Sequence, residues 1–281
     1  MTRQVLPRAA ILTIDLGNSG GSAALFEHGE EPVGCGAWTT ADDDSAELSA
    51  AVDRALGRVT SRAELLAAVS AVGSHDREAS AVDRLRSLGL AVEAHPDPGL
   101  DLRIEHPETC GSDRKYAARG AVGRARTRSG RGLVVIDAGT ALTVDAVLAP
   151  DMRDGVDGER GAFLGGAIAL GPGSLADALT EAGARLPAID LTPDVDALGR
   201  STDAALRSGV VVGFRGAVRE LCREVAIAAH GSPDDVVAAY LTGGARAFAR
   251  AAVEEVFPGR VVEDPQLVHR GLALAAAEVA R

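Results

Sequence analysis

The chain has 281 residues, 46% of them hydrophobic, with 29 basic and 40 acidic side chains and a formal net charge of −11. That length and apolar content suit one large domain or two of ordinary size and argue against bulk disorder. The acid excess and an aromatic content of 3% speak against nucleic acid as a partner. An anionic ligand would have to be held by local devices: helix N-termini, backbone N–H groups or a metal ion. Three scattered cysteines, Cys35, Cys110 and Cys222, form neither a disulfide framework nor a zinc site, which predicts a reducing, cytoplasmic setting. No apolar run reaches transmembrane length, and the stretch after the basic start is broken by Asp15, so neither a signal segment nor a membrane partner is expected.

Residues 9–15 read as a buried strand, followed by strands over 21–30 and 32–40 in a meander with short turns. Leu48, Val52 and Leu56 have helical spacing behind the acidic run 42–44, which suits a helix N-terminus. A buried strand over 65–74, a helix over 80–89 stopped by Gly89 and a short strand over 90–95 follow. Residues 96–112 read as loop, 111–125 as a helix with Asp113 in its first turn, and 126–132 as a polar, Gly-rich linker. The pattern then starts again. Strand, Asp-Ala-Gly-Thr and strand fill 132–148, and 151–161 reads as a hairpin connection. A strand, a Gly-Pro-Gly turn and a helix span 161–182, and one or two long helices span 201–231. Strand, Thr-Gly-Gly and helix span 236–256, and a helix over 271–281 ends the sequence.

Both halves thus carry strand, Asp-x-Gly-[Asn/Thr]-[Ser/Ala], strand, with Asp15 and Asp137 separated by 122 residues, the length of a small α/β domain. This reads as an internal duplication. Gly17 and Gly139 would let backbone N–H groups approach a ligand closely, while Asn18, Ser19, Thr140 and the N–H of Ala141 supply donors suited to phosphate oxygens. The carboxylates of Asp15 and Asp137 would repel phosphate directly, and their natural use is Mg²⁺, bound directly or through its waters. Gly243 and Gly244 open a helix after a strand and suit the adenosine side of a nucleotide. Asp113 is either a helix-dipole partner or a base that accepts a hydroxyl proton. Arg114 beside it is either a solvated side chain or an anion contact. His75, His95 and His106 are isolated and lack metal-ligand spacing.

The ordered set of motifs resembles the type III pantothenate kinases, of the acetate and sugar kinase, Hsp70 and actin superfamily. The resemblance rests on "IDLGNS", "HPETCGSDR", "VIDAGTALTVD", "GGAIALGPG", "LGRSTDAALRSG" and "LTGGARA" and runs nearly the whole length. It implies an α/β protein of two duplicated ribonuclease H-like (actin-like ATPase) lobes, here 1–129 and 130–281, with a nucleotide cleft between them. It implies ATP-dependent phosphorylation of pantothenate, the first step toward coenzyme A. Asp113 would be the general base, and Gly111, Ser112, Asp113 and Arg114 would contact the acceptor. Asp15 and Asp137 would serve Mg²⁺. A monovalent cation (K⁺ or NH₄⁺) and a homodimer with a composite acceptor site are also implied.

The sequence departs from the family pattern on the acceptor side. Ile104 stands where the family often has Tyr, His106 and Ala117 where it often has Asn, and Gly183 where a Thr contacts pantothenate. Pro172 is shifted one place later in its turn. Two alternatives follow: the same machinery acting on another hydroxyl acceptor, or a nucleotide-binding regulatory homologue without turnover.

Overall fold

A computed structural model describes residues 10–27, 31–39, 45–59, 64–125, 132–150, 160–183 and 186–279. The acidic run at 42–44, the expected linker over 126–131 and most of the connection over 151–161 lie outside them. The chain forms two compact units, one of residues 1–101, 105–124 and 266–281, the other of 102–104 and 125–265.

In the first unit β1 (Ala10–Gly17), β2 (Gly20–Phe26), β3 (Val33–Thr39), β4 (Leu65–Ala71) and β5 (Ala91–Ala94) form a sheet of order β3-β2-β1-β4-β5. The meander β1-β2-β3 is antiparallel, and β4 and β5 add in parallel. β1 is apolar on both faces because both are covered. Leu12, Ile14 and Leu16 join a core with α1 (Ser45–Leu56) and α2 (His75–Ser87). The opposite face carries Ile11, Thr13 and Asp15 and meets α3 (Ser112–Arg124) and α7 (Leu267–Val279).

The second unit repeats the plan. β7 (Gly132–Ala138), β8 (Ala141–Leu148), β9 (Ala162–Leu170), β10 (Val236–Thr242) and β11 (Val261–Glu263) take the order β11-β10-β7-β8-β9, extended past β9 by the short β6 (Asp101–Leu102). Again the first three strands are antiparallel and the last two parallel. Val134, Ile136, Leu142 and Val144 pack against α5 (Thr202–His230) and α6 (Arg246–Val256), with Leu175 of α4 (Pro172–Ala182) at the margin. The two sheets are the duplicated ribonuclease H-like halves of an actin-like fold.

Several elements depart from the sequence expectation or sharpen it. α2 begins at His75, because Ser74 caps it by accepting the Arg77 N–H, and its first turn has no apolar residue to signal a helix. Residues 201–231 hold one helix, capped by Ser201 and closed by Gly231 at φ +90°. β11 is too short to read from periodicity. α7 starts at Leu267, one turn before Gly271, and belongs to the first unit rather than to the second half of the sequence. Backbone contact explains that placement. A Cβ on Gly271 would lie 1.8 Å from the Tyr116 carbonyl oxygen, and one on Gly120 2.2 Å from that of Leu267. Two glycines therefore let α3 and α7 touch backbone to backbone, and Arg119 pairs with Glu278 along the same seam.

Candidate active site

In the first unit Asp15 lies near the end of β1, directly opposite Ser22 on β2 and Ser70 on β4. Ser70 is fully buried and hydrogen-bonds toward the carboxylate. Its Oγ lies 3.0 Å from Ser112 Oγ, which donates to the Ala71 carbonyl at 3.0 Å. Asp113 is the next residue, and its Oδ1 accepts the Arg114 N–H at 2.8 Å. A Cβ on Gly111 would sit 2.5 Å from that oxygen, so the carboxylate occupies space that only glycine leaves open. Burial first, and the negative charge of Asp113 second, push the Asp15 carboxyl up to about 7 against the opposing Ser70 bond. Part of Asp15 reaches the surface, yet its Oδ1 is inaccessible and has no hydrogen-bond partner among the described residues. Two mutually repelling carboxylates with an orphaned oxygen are the donor set a hard cation neutralises.

The turn after Asp15 is held by its neighbours. Val72 N–H donates to the Leu16 carbonyl at 2.9 Å, and the Arg77 guanidinium donates to the Gly17 carbonyl. Asn18 and Ser19 are exposed, and the Asn18 carbonyl stands over Gly73. A Cβ on Gly17 would meet nothing closer than 3.6 Å. That is an ordinary van der Waals contact with the Gly20 carbonyl oxygen.

In the second unit Asp137 holds the same position, opposite Thr143 on β8 and Thr242 on β10. Two glycine turns converge on the chain that follows it. Thr140 O accepts the Gly171 N–H at 2.9 Å and Ser174 Oγ–H at 2.8 Å. Ala138 O accepts the Ala245 N–H at 2.7 Å, and Gly243, at φ +91°, would place a Cβ 2.3 Å from the same oxygen and 2.4 Å from Asp137 Oδ1. A Cβ on Gly139 would make an ordinary contact with Asp137 Oδ1 at 3.6 Å, whereas one on Gly244 would meet nothing within 4 Å among the described residues. Ala141 begins β8 and is exposed. Asp145 is mid-strand on β8 and 1% exposed.

The structure thus gathers Asp15, Gly17, Asn18, Ser19, Gly111, Ser112, Asp113 and Arg114 in the first unit. In the second it gathers Asp137, Gly139, Thr140, Ala141, Gly243 and Gly244. Ile104 and Gly183 lie elsewhere in the second unit. Ile104 packs 3.3 Å from the Cβ position of Gly165, and Gly183 ends α4, where its own Cβ position would be 2.6 Å from the Leu186 side chain. His75, His95 and His106 each face a glutamate, Glu78 or Glu108. Among the described residues no group of three or more His, Cys, Asp or Glu could hold a metal ion. Sequence reasoning missed Ser22, Ser70, Arg77 and Thr242. A lone hydroxyl inside an apolar strand, as in "LLAAVSA", was the one available signal.

A family model described as type III pantothenate kinase matches residues 11–224. A type III pantothenate kinase of Thermus thermophilus is 36% identical over 221 residues, covering 76% of this chain and 81% of the relative. One from Gluconobacter oxydans is 31% identical, covering 76% of each chain. Among solved structures, ADP-bound MreB5 of Spiroplasma citri superposes with a TM-score of 0.51 at 10% identity, covering 96% of this chain and 97% of that one, a likeness of fold alone. The ordered motifs, the repeated Asp-Gly turns and these relatives agree: the chain belongs to the type III pantothenate kinase family.

Proposed function

We propose that this protein transfers the γ-phosphoryl group of ATP to the primary hydroxyl of pantothenate, giving ADP and 4′-phosphopantothenate, the first step toward coenzyme A. The observation that carries the reading is the Asp15–Asp113 pair: two carboxylates close enough to repel, one at a glycine turn and one at a helix start, in a chain of this family. Asp113 accepts the proton of the attacking hydroxyl, and Arg114 pairs with the acceptor's carboxylate. Asn18, Ser19 and Thr140 and the glycines at 17, 139 and 244 receive phosphate oxygens and the nucleotide. Asp15 and Asp137 serve Mg²⁺, which when bound neutralises the polyphosphate and fixes its orientation. The chain's own contribution is positioning and charge complementarity rather than covalent chemistry. K⁺ or NH₄⁺ dependence, a homodimer and a cytoplasmic location belong to the same reading; among the described residues no helix is long and apolar enough to cross a membrane.

The experiment is ADP release with ATP, Mg²⁺ and K⁺, with and without pantothenate. Stimulation by pantothenate that falls about 10³-fold in Asp113→Ala, with ATP affinity kept, is the expected result. Equal loss of turnover and ATP affinity would make Asp113 a helix-start residue only. A second reading, another hydroxyl acceptor, is favoured by the Leu186 side chain packed at Gly183, where the family's threonine would stand. Absence of pantothenate stimulation with turnover on another hydroxy acid would select it. Nucleotide binding without turnover on any acceptor would select the regulatory alternative.

A further inference from the structure

On the face of the first sheet that carries Asp15 lies a hydrogen-bond chain that the proposed reaction does not use. Thr13 Oγ1 donates to the Ala24 carbonyl at 2.9 Å, so its oxygen accepts from His269 Nδ1–H, also at 2.9 Å. With its proton on Nδ1, the neutral ring offers only a lone pair at Nε2, and Ser22 Oγ–H donates to it at 2.8 Å. Thr13 is fully buried and His269 is 4% exposed. Burial also pushes the ring down to about 4, which keeps it neutral at neutral pH. The α3–α7 backbone contact at Gly120 and Gly271 and the Arg270–Glu31 pair fix the helix that brings the ring there.

The direction of the Ser22 proton matters. Ser22 is the register partner of Asp15 on the neighbouring strand, and its side chain stands on the same face within a short reach. Asp15 Oδ1 is nevertheless without a hydrogen bond. The serine nearest to it across the hairpin gives its proton to His269 instead. We propose that His269 is a positioning residue: by accepting the Ser22 hydroxyl proton it keeps that hydroxyl off Asp15 and leaves the carboxylate free to serve the metal-bound nucleotide. The inference rests on the kinase reading for its metal and nucleotide. It concerns a helix outside the segment that the family model matches.

His269→Leu removes the acceptor, so the Ser22 proton turns onto Asp15 and competes with the cation. The test measures the Mg²⁺ dependence of turnover at saturating ATP and, independently, calorimetric binding of Mg·ADP to folded protein. His269→Leu should raise the half-saturating Mg²⁺ concentration and weaken Mg·ADP about tenfold, a loss of the size of one hydrogen bond to a charged group. The pantothenate KM should not move. Adding Ser22→Ala to His269→Leu should restore both values to within about twofold, because no hydroxyl then remains to compete. A merely structural histidine would lower Tm and leave these values alone, and the second substitution would make matters worse. Should His269→Leu fail to fold, His269→Asn serves: it can keep a donor to Thr13 while dropping the acceptor for Ser22, and the same shift and the same rescue are expected. An unchanged Mg²⁺ dependence in a folded His269 variant, or no rescue by Ser22→Ala, overturns the proposal. Wild-type protein that binds Mg·ADP but ignores pantothenate would sink the acceptor reading alone, and calorimetry would still decide this one. Wild-type protein that binds no Mg·ADP would sink both.

Discussion

Asp15 and Asp137 occupy the same place in two copies of one sheet, yet what surrounds them differs. Each aspartate is flanked by a hydroxyl residue on both neighbouring strands, Ser22 and Ser70 in one case, Thr143 and Thr242 in the other. In the first copy both hydroxyls are engaged. Ser70 connects to Ser112 at the start of α3, and Ser22 to His269 on α7. In the second copy Thr143 Oγ1 is buried with no hydrogen-bond partner among the described residues, and the chain after Asp137 is organised by glycine turns packed on its backbone. The duplication preserved the carboxylate and its register while the two sites diverged in what holds them. The first is held by side-chain chains reaching helices distant in sequence, the second by main-chain contacts among turns.

The sharpest way to break this comparison is to neutralise each aspartate in turn. Asp15→Asn should cost about 10³-fold in Mg²⁺-dependent turnover while raising the Tm of the metal-free protein by about 5 °C, since it removes a buried charge facing Asp113. The sign is fixed by the raised pKa: that carboxyl destabilises the fold increasingly as pH rises from its unfolded value through about 7, so the advantage of the variant should grow over that window. A Tm that falls in Asp15→Asn would mean the charge is satisfied in a way its orphaned oxygen does not suggest. Asp137→Asn should also lose metal-dependent turnover; an unchanged Mg²⁺ profile would confine the metal to the first copy.

Next in size is Gly271→Ala. The added methyl would meet the Tyr116 carbonyl, forcing α7 off α3, with an expected loss of about 3 kcal/mol by denaturant titration. A loss below about 1 kcal/mol would show that the helices separate cheaply. A pH series on His269 tests the side-chain network directly. Its pKa is depressed in the folded state, so the stability it confers is present above about 6.5 and declines as pH falls toward about 4. The wild-type advantage over His269→Leu should shrink by about 3 kcal/mol across that window, and a pH-independent difference would contradict a neutral buried ring. The smallest effects separate the two copies most cleanly. Ser22→Ala leaves His269 Nε2 without a donor and should cost about 1–2 kcal/mol, whereas Thr143→Val removes a hydroxyl that bonds nothing and should be near neutral. Equal costs would erase the distinction.

The parts of this fold legible in the sequence were those whose cause is local. A strand ending in Asp-x-Gly and followed by another strand announces itself within a dozen residues, and its repetition exposed the two-unit plan. Asp113 was legible because helix starts leave a pattern. Thr13, Ser22 and His269 were not, because the contact joins positions more than 240 residues apart and no local periodicity encodes it. Reading α7 from Gly271 hid His269 as well, since a glycine that permits backbone contact between helices looks in sequence like a glycine that stops one. The convergence of the two turns in the second unit was invisible for a related reason: each glycine has a sufficient local explanation, and only the close approaches at Gly171 and Gly243 show that they pack on one strand end.

Placing α7 in the first unit also has a consequence for how the chain is made. Apart from residues 102–104 the second unit is the contiguous stretch 125–265, so it is complete before α7 leaves the ribosome. β1 and β2, synthesised early, wait for the ring of His269 and the backbone of Gly271 to cover one face of their sheet. On this account the amides of β7 and β10 gain exchange protection ahead of those of β1 and β2 during refolding, and a pulse-labelling experiment finding the reverse order would reject it. The hairpin that carries Asp15 is then covered on one face by a helix translated more than 240 residues after it.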